Sequence, residues 1–158
     1  MKNTLYILLL TIGLLSCQPK DRVFVEYKDL SPDVEWLKSD SIEFDVPIED
    51  TNQVYKMSVA FRYANGYRFK TIDLLVTETS PGGKTESFNF SSIIRDSEDN
   101  YIGEPGYDIW DSEHLMIAKK KFNERGVYSY TIQHIMPIDP LNYAMEIGLI
   151  LDLVKTSN

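Results

Sequence analysis

The stretch VYKMSVAFRY, residues 54–63, decides the fold class of this chain. Its odd-numbered positions are all apolar, and most of its even-numbered positions are small or charged. A period of two indicates a half-buried β-strand, because successive side chains point to opposite faces of a sheet. Asn65-Gly66 follows at once and is a strong signal for a hairpin turn. We therefore predict a strand over 54–63 that turns back on itself through residues 67–70.

The same alternation recurs along most of the chain, and no amphipathic helix longer than a turn or two is recognisable. Further strands are predicted at 23–27, 42–46, 71–79, 86–90, 114–120, 127–135 and 143–154. Gly126-Val127-Tyr128 also resembles the entry into a late strand of immunoglobulin-like domains, where a tyrosine hydroxyl bonds back to the backbone. Many short strands separated by turn signals predict an all-β, antiparallel β-sandwich, immunoglobulin-like or similar, as a single domain over 23–158.

The N-terminus carries an apolar run from Leu5 to Leu15 behind the positive charge of Lys2. About 20 apolar residues are needed to span a bilayer, so this run is too short and fits a secretory signal. Leu-Leu-Ser-Cys at 14–17 resembles the bacterial lipobox, in which the cysteine receives a diacylglyceryl group and is then acylated, for example with palmitate. We predict a lipoprotein signal peptide over 1–16, lipidation at Cys17 and a tether over 17–22. The alternatives are a plain signal peptide with an incidental thiol, or a signal anchor with a buried one.

The composition restricts both the fold and the partners. Cys17 is the single cysteine, so a disulfide within the chain is excluded and the domain depends on packing. The formal net charge of −8 becomes −9 once Lys2 leaves with the signal peptide. An acidic domain is repelled by phosphate backbones, and we therefore expect no nucleic-acid partner.

Residues with catalytic or metal-binding chemistry are few. Of the two histidines, His134 shares its strand parity with apolar residues and is predicted to be buried and hydrogen-bonded, not catalytic. The segment from Asp96 to Asn100 lacks the glycine and the flanking helices of a calcium loop, and is read as a solvated acidic turn. We therefore expect no catalytic residue, no metal, no cofactor and no enzymatic activity.

The segment from Asn100 to Trp110 is rich in aromatic residues between glycines and a proline. In one reading it is a long loop over the end of the sandwich, with Trp110 closing the core. In the other reading its aromatic side chains form a surface that binds a protein or a sugar, since aromatic residues dominate interface energetics. Under that second reading the candidate partner-binding residues are Tyr101, Tyr107 and Trp110.

The order of short motifs along nearly the whole chain resembles the GldH family of gliding-motility lipoproteins of Bacteroidota. The motifs that follow the lipobox are Arg22-Val23-Phe24 with Glu26-Tyr27, the Trp36 region, Asp50-Thr51, Thr79-Ser80-Pro81-Gly82-Gly83, Gly103, Gly106-Tyr107-Asp108-Ile109, and Gly126-Val127-Tyr128 with Ile132 and His134. The resemblance implies a role in surface gliding and an association with type IX secretion. It implies no enzymatic activity.

Together these observations predict a non-enzymatic accessory lipoprotein of the gliding motility machinery. Its expected partners are the lipid bilayer, through acylated Cys17, and other envelope or gliding-machinery proteins. The alternative is an envelope lipoprotein that binds a glycan or peptidoglycan through exposed aromatic residues. We expect a lipid anchor in the cell envelope, at the outer membrane, because Gln18 replaces the aspartate that retains enterobacterial lipoproteins at the inner membrane.

Overall fold

Alternating apolar and polar side chains build two large β-sheets over residues 21–155, the part of the chain that the computed structural model describes. This part contains eleven β-strands and no helix. The strands are β1 (Arg22–Asp29), β2 (Glu35–Trp36), β3 (Ile42–Ile48), β4 (Tyr55–Ala64), β5 (Thr71–Thr79), β6 (Thr85–Ile93), β7 (Glu104–Pro105), β8 (Ile109–Lys120), β9 (Gly126–His134), β10 (Leu141–Asn142) and β11 (Ala144–Leu153).

The strands form an antiparallel sandwich, which confirms the predicted fold class. One sheet has the order β1-β11-β4-β8-β7, the other has the order β3-β9-β5-β6, and β10 pairs with β2 in a two-stranded ribbon. The odd-numbered apolar residues of the opening stretch point inwards, and each of them is buried: Tyr55, Met57, Val59, Phe61 and Tyr63. Residues 1–16 and Cys17 lie outside the described residues.

The eight long strands form four antiparallel pairs that are nested in sequence order. β5 pairs with β6 around the turn at 80–84, and the pairs β4·β8, β3·β9 and β1·β11 are nested successively around it. This nested order is that of an eight-stranded jelly roll and differs from the strand order of an immunoglobulin domain. The sandwich was therefore predictable from local periodicity, whereas its strand order required the long-range pairs.

The predicted hairpin at Asn65-Gly66 is wrong. β4 and β5 do not pair with each other, because β4 belongs to the five-stranded sheet and β5 to the four-stranded one. Tyr67 explains the crossing: it is fully buried, its ring lies 5.6 Å from that of Phe61, and its hydroxyl donates to the carbonyl of Thr71 at 2.9 Å. Because this ring packs in the core, the chain passes at Tyr67 from the five-stranded sheet to the four-stranded one.

The tyrosine bond expected near Gly126 is present. The Tyr128 hydroxyl donates to the carbonyl of Glu124 at 3.3 Å, and the Glu124 amide lies at the same distance from that hydroxyl. Tyr128 is buried at the start of β9, with its ring 4.7 Å from that of Phe122. Such a corner bond is therefore compatible with a jelly roll as well as with an immunoglobulin-like sandwich.

The sandwich has two ends that differ in their loops. The basal loops, 49–54, 80–84 and 121–125, lie at the end where the described chain starts and finishes, since the Leu153 amide donates to the Asp21 carbonyl at 2.8 Å. The apical loops, 30–41, 65–70, 94–108 and 135–143, lie at the opposite end. Between residues 21 and 155, no helical segment is long and apolar enough to cross a bilayer.

Candidate functional site

Exposed apolar side chains concentrate in the apical loops. Of the eleven large hydrophobic residues that are exposed within 21–155, six belong to these loops: Leu37, Ile102, Tyr107, Ile135, Ile138 and Tyr143. The basal loops of the described chain contribute none. Clustering of this kind marks an interaction surface, whereas hydrophobic residues scattered singly need no explanation. The apical end is therefore the candidate functional site.

Tyr107 is held at the tip of a hairpin at this end. β7 pairs with the first residues of β8, and the Gly106 amide donates to the Ile109 carbonyl at 2.8 Å. The Asn65 amide also donates to the Asp108 carbonyl at 2.8 Å, which ties the tip to the neighbouring loop. The Tyr107 side chain itself is 97% exposed. An ordered backbone thus presents an aromatic ring that has no packing role of its own.

Tyr101 and Trp110 occupy a different environment from Tyr107. The Tyr101 hydroxyl accepts hydrogen bonds from the Gly66 amide and the Arg95 guanidinium, both at 2.8 Å, and the Arg95 guanidinium lies 4.4 Å from the centre of its ring. Trp110 is half-buried, packs 5.4 Å from the Tyr101 ring and donates its indole N–H to Asn65 at 2.9 Å. These two residues hold the apical loops together. The structure separates the three sequence candidates into one exposed ring and two packed ones.

β8 begins at Ile109, five residues before the predicted start of this strand. Trp110 therefore belongs to a strand and not to the long loop that the sequence suggested. The early start depends on β7, a strand of two residues that pairs with Trp110 and Asp111. A strand this short has no periodicity of its own, so the sequence offered no signal for it.

A cleft of about 500 Å³ opens between the apical loops. Its lining combines apolar and aromatic residues with three polar ones: Val34, Ala64, Phe69, Ile138 and Tyr143 with Asp33, Arg68 and Asn142. Val34 (φ 57°) and Tyr143 (φ 67°) adopt left-handed backbone conformations, and the Tyr143 amide donates to the Val34 carbonyl at 2.8 Å. A β-branched residue with positive φ is a costly outlier, and such strain concentrates at functional sites. The sequence held no indication of this cleft.

The two histidines are both partly or fully buried. His134 is 2% exposed, and its Nε2 donates to the Trp36 carbonyl at 3.0 Å, as predicted for a buried, hydrogen-bonded residue. Burial lowers the pKa of His134 and also that of His114. Both imidazoles are therefore neutral at pH 7.

His114 makes a contact between the sheets that sequence reasoning missed. Ser112 donates its hydroxyl to the Phe61 carbonyl at 3.0 Å and lies 2.9 Å from His114 Nε2, so Nε2 is the donor and Nδ1 is the acceptor. The hydroxyl of Ser92 on β6 lies 2.7 Å from this Nδ1. A serine hydroxyl beside a neutral imidazole is the arrangement of a nucleophile and its general base. Acyl transfer by such a pair also needs hydrogen-bond donors placed to stabilise an oxyanion. In this fold the pair links the two sheets along one side of the sandwich.

Charge also distinguishes the two ends. The apical loops contain nine acidic and four basic residues, whereas the basal loops together with Asp21 and Lys155 contain four of each. Within the described residues, no group of three or more His, Cys, Asp or Glu side chains is arranged to hold a metal ion. The negative electrostatic potential of the apical surface therefore attracts cationic groups from solution and repels anionic ones.

Comparison with known proteins gives a consistent result. The family model described as GldH lipoprotein matches residues 22–151. The chain is 31% identical over 133 residues to "Gliding motility lipoprotein GldH" of Flavobacterium johnsoniae, covering 84% of this chain and 80% of that protein. It is 28% identical, with the same coverage, to "Gliding motility lipoprotein GldH homolog" of Christiangramia forsetii. No solved structure matches the chain.

Proposed function

Because this chain belongs to the GldH lipoprotein family, we propose that it serves the gliding machinery as a non-enzymatic accessory component associated with type IX secretion. Its family identifies it as a gliding-motility lipoprotein anchored in the cell envelope. The observation that supports a binding role is the apical end, where a hydrogen-bonded hairpin exposes Tyr107 and a strained cleft opens between the loops. In this proposal the protein acts by holding other envelope proteins.

The arrangement of the aromatic residues favours a protein partner over a glycan. A sugar-binding platform needs open ring faces, and Tyr101 and Trp110 pack against each other while Arg95 covers the Tyr101 ring. Tyr107 alone of the three is fully exposed. A single projecting aromatic at an end that also exposes other apolar side chains fits the anchor residue of a protein interface.

Deletion of the gene tests the role in gliding. We expect the deletion strain to lose colony spreading and to secrete less type IX cargo into the medium, and we expect the wild-type gene to restore both. A deletion strain that spreads and secretes normally would refute the proposed function. Replacement of His114 or His134 by alanine should leave spreading unchanged wherever the variant reaches normal abundance, because the proposed function requires no proton transfer.

A matched pair of variants tests the apical end. Tyr107→Ala should leave the melting temperature and cellular level unchanged, because the ring packs against nothing, and should reduce spreading. Trp110→Ala should lower the melting temperature, since it removes a half-buried ring and its bond to Asn65. Spreading of the Trp110→Ala strain should then follow protein abundance. Normal spreading of the Tyr107→Ala strain would show that the Tyr107 side chain is not needed for gliding.

We also propose the outer membrane as the location of the lipid anchor, on the basis of Gln18 after the lipidated cysteine. Separation of inner and outer membranes on a density gradient, followed by immunodetection, tests this. Recovery with inner-membrane markers would contradict it.

A further inference from the structure

The outer face of the five-stranded sheet contains a groove of about 560 Å³ next to the β7–β8 hairpin. Ala60 on β4 contributes to its floor. Tyr27 on β1 forms one wall and leans over Gly148 on β11, where an added Cβ would lie 2.5 Å from the tyrosine ring. The small residues at the centre of the sheet thus create the depression, and Tyr27 borders it.

The charges that line this groove are unbalanced. Four carboxylates line it, from Glu104, Asp111, Glu113 and Glu146, and Arg62 is the single cation among its lining residues. Arg62 is already engaged, because its Nε donates to Asp111 at 2.7 Å and its Nη1 to Glu146 at 3.4 Å. Glu113 is also paired, because Arg22 Nη2 donates to its carboxylate at 3.0 Å. The side chain of Glu104 makes no hydrogen bond or ion pair with any described residue, so this carboxylate remains available for a ligand.

The electrostatic environment of Glu146 reflects this excess. Burial raises the pKa of its carboxyl, Arg62 opposes that effect, and the carboxylates of Asp29 and Asp111 raise the pKa further. An added cation near this groove would therefore stabilise the ionised carboxylates.

Apolar side chains are exposed on and beside the same face. Tyr27 is 49% exposed, Leu115 on the neighbouring strand β8 is 55% exposed, and Tyr107 projects from the hairpin at the apical edge. Exposed apolar residues around a polar groove mark a surface that buries itself against a partner. Their combination with the unpaired carboxylate of Glu104 and the excess of carboxylates in the lining specifies a partner of positive charge.

We propose that this sheet face, comprising the groove together with Tyr27, Leu115 and Tyr107, docks a basic segment of an envelope protein. A lysine or arginine side chain of the partner enters the groove and pairs with Glu104. The Tyr27 ring stacks against a guanidinium or ammonium group, and Tyr107 packs against apolar residues of the same segment. Charge complementarity selects this occupant over anionic lipid or nucleic acid, both of which the groove repels. The inference rests on the proposed function in that the partner is taken to be a component of the gliding machinery.

Photo-crosslinking in living cells tests the docking face on the full-length lipoprotein. Benzoylphenylalanine is placed at Tyr27, at Tyr107 and, as a control, at Val127, which is 52% exposed on the other sheet. Mass spectrometry then identifies the crosslinked peptides. We expect the first two positions to crosslink one protein through a segment of positive net charge, and the control position not to crosslink it. Crosslinks at Tyr27 and Tyr107 that do not exceed the control, or that reach an acidic segment or a second copy of this chain, would overturn the proposal.

Charge reversal supplies the second measurement. Glu104→Lys places a like charge against the basic segment and should reduce the crosslink yield from Tyr107 by about threefold or more. Asp45→Lys is the matched control, because Asp45 is exposed on the other sheet and its side chain also makes no bond with a described residue; it should leave the yield unchanged. Equal yields for both variants would refute the role of charge. A deletion strain that still glides would refute the proposed function alone, whereas gliding loss without these crosslinks would refute the docking face alone.

Discussion

Tyr128 illustrates how a single hydroxyl contributes to this fold. The ring is buried against Phe122, and the hydroxyl bonds to the backbone of Glu124. Tyr128→Phe keeps the ring and removes the bond, so it should lower the free energy of unfolding by about 1 kcal/mol. Tyr128→Ala removes the ring as well and should cost about 3–5 kcal/mol. Urea unfolding of the fragment from Asp21 onwards measures both changes.

Tyr107→Phe is the control for this measurement, because an exposed hydroxyl should make no difference to the unfolding midpoint. If Tyr128→Phe unfolded at the wild-type midpoint, the corner bond would contribute nothing to stability.

The buried histidines predict how stability depends on pH. Burial lowers the pKa of His134 and His114 from an ordinary value of 6.5, so the unfolded chain binds more protons than the folded one below that value. The free energy of unfolding should therefore fall as the pH decreases from 6.5 to 5, by at most about 1.4 kcal/mol per pH unit for each histidine. Glu146 acts in the opposite direction, because burial raises the pKa of its carboxyl.

His134→Gln isolates one of these groups. The variant should show a shallower decline in melting temperature between pH 6.5 and 5 than the wild type does. If the two pH profiles had the same slope, His134 would have to titrate equally in the folded and unfolded states.

At the scale of elements, the β7–β8 hairpin depends on close backbone approach at Gly103. This residue has φ +136°, and an added Cβ would lie 2.5 Å from the Asp111 carbonyl oxygen. Because that atom belongs to the backbone of β8, it cannot rotate away. Gly103→Ala should therefore destabilise the protein by about 2 kcal/mol or more and displace the hairpin that exposes Tyr107.

Gly83→Ala provides the comparison at this scale. Gly83 also has a positive φ, +84°, but an added Cβ there would meet nothing within 4 Å. Gly83→Ala should lower the free energy of unfolding by only about 1 kcal/mol, which is the strain of the backbone conformation itself. Thermal melts of the two variants measure the difference in stability. Equal losses of stability would show that the close approach of Gly103 to the Asp111 carbonyl adds no cost.

At the scale of the whole molecule, lipidation at Cys17 stays a prediction, and it makes attachment to the membrane depend on one thiol. Cys17→Ser should accumulate as an unprocessed precursor that incorporates no labelled palmitate, because the lipidation chemistry requires the sulfur atom. Ser16→Ala keeps a small residue at the preceding position and should be labelled normally. Fatty-acid label in the Cys17→Ser protein would contradict the assignment of the anchor.

The nested strand order also predicts slow folding. β1 pairs with β11, so that Arg22 lies opposite Asp152, and this pair can form only after most of the chain is ordered. Folding dominated by such non-local pairs occurs in about milliseconds to seconds. Stopped-flow refolding followed by the fluorescence of Trp36 and Trp110 measures the rate, and refolding complete within microseconds would contradict the expectation.

The sequence by itself determined the eight long strands, the sandwich class and the burial of residues such as His134. These features follow from a period of two, which is local and therefore visible in any short window. The tertiary structure alone decided the jelly-roll strand order, the failure of Asn65-Gly66 to make a hairpin, and the contact between Ser92 and His114. Each of these depends on which distant strands become neighbours, and that choice is made by the packing of the whole core around residues such as Tyr67. The same reason explains the candidate site. The sequence could not distinguish Tyr101, Tyr107 and Trp110, and only packing separates one exposed ring from two half-buried rings that contact each other.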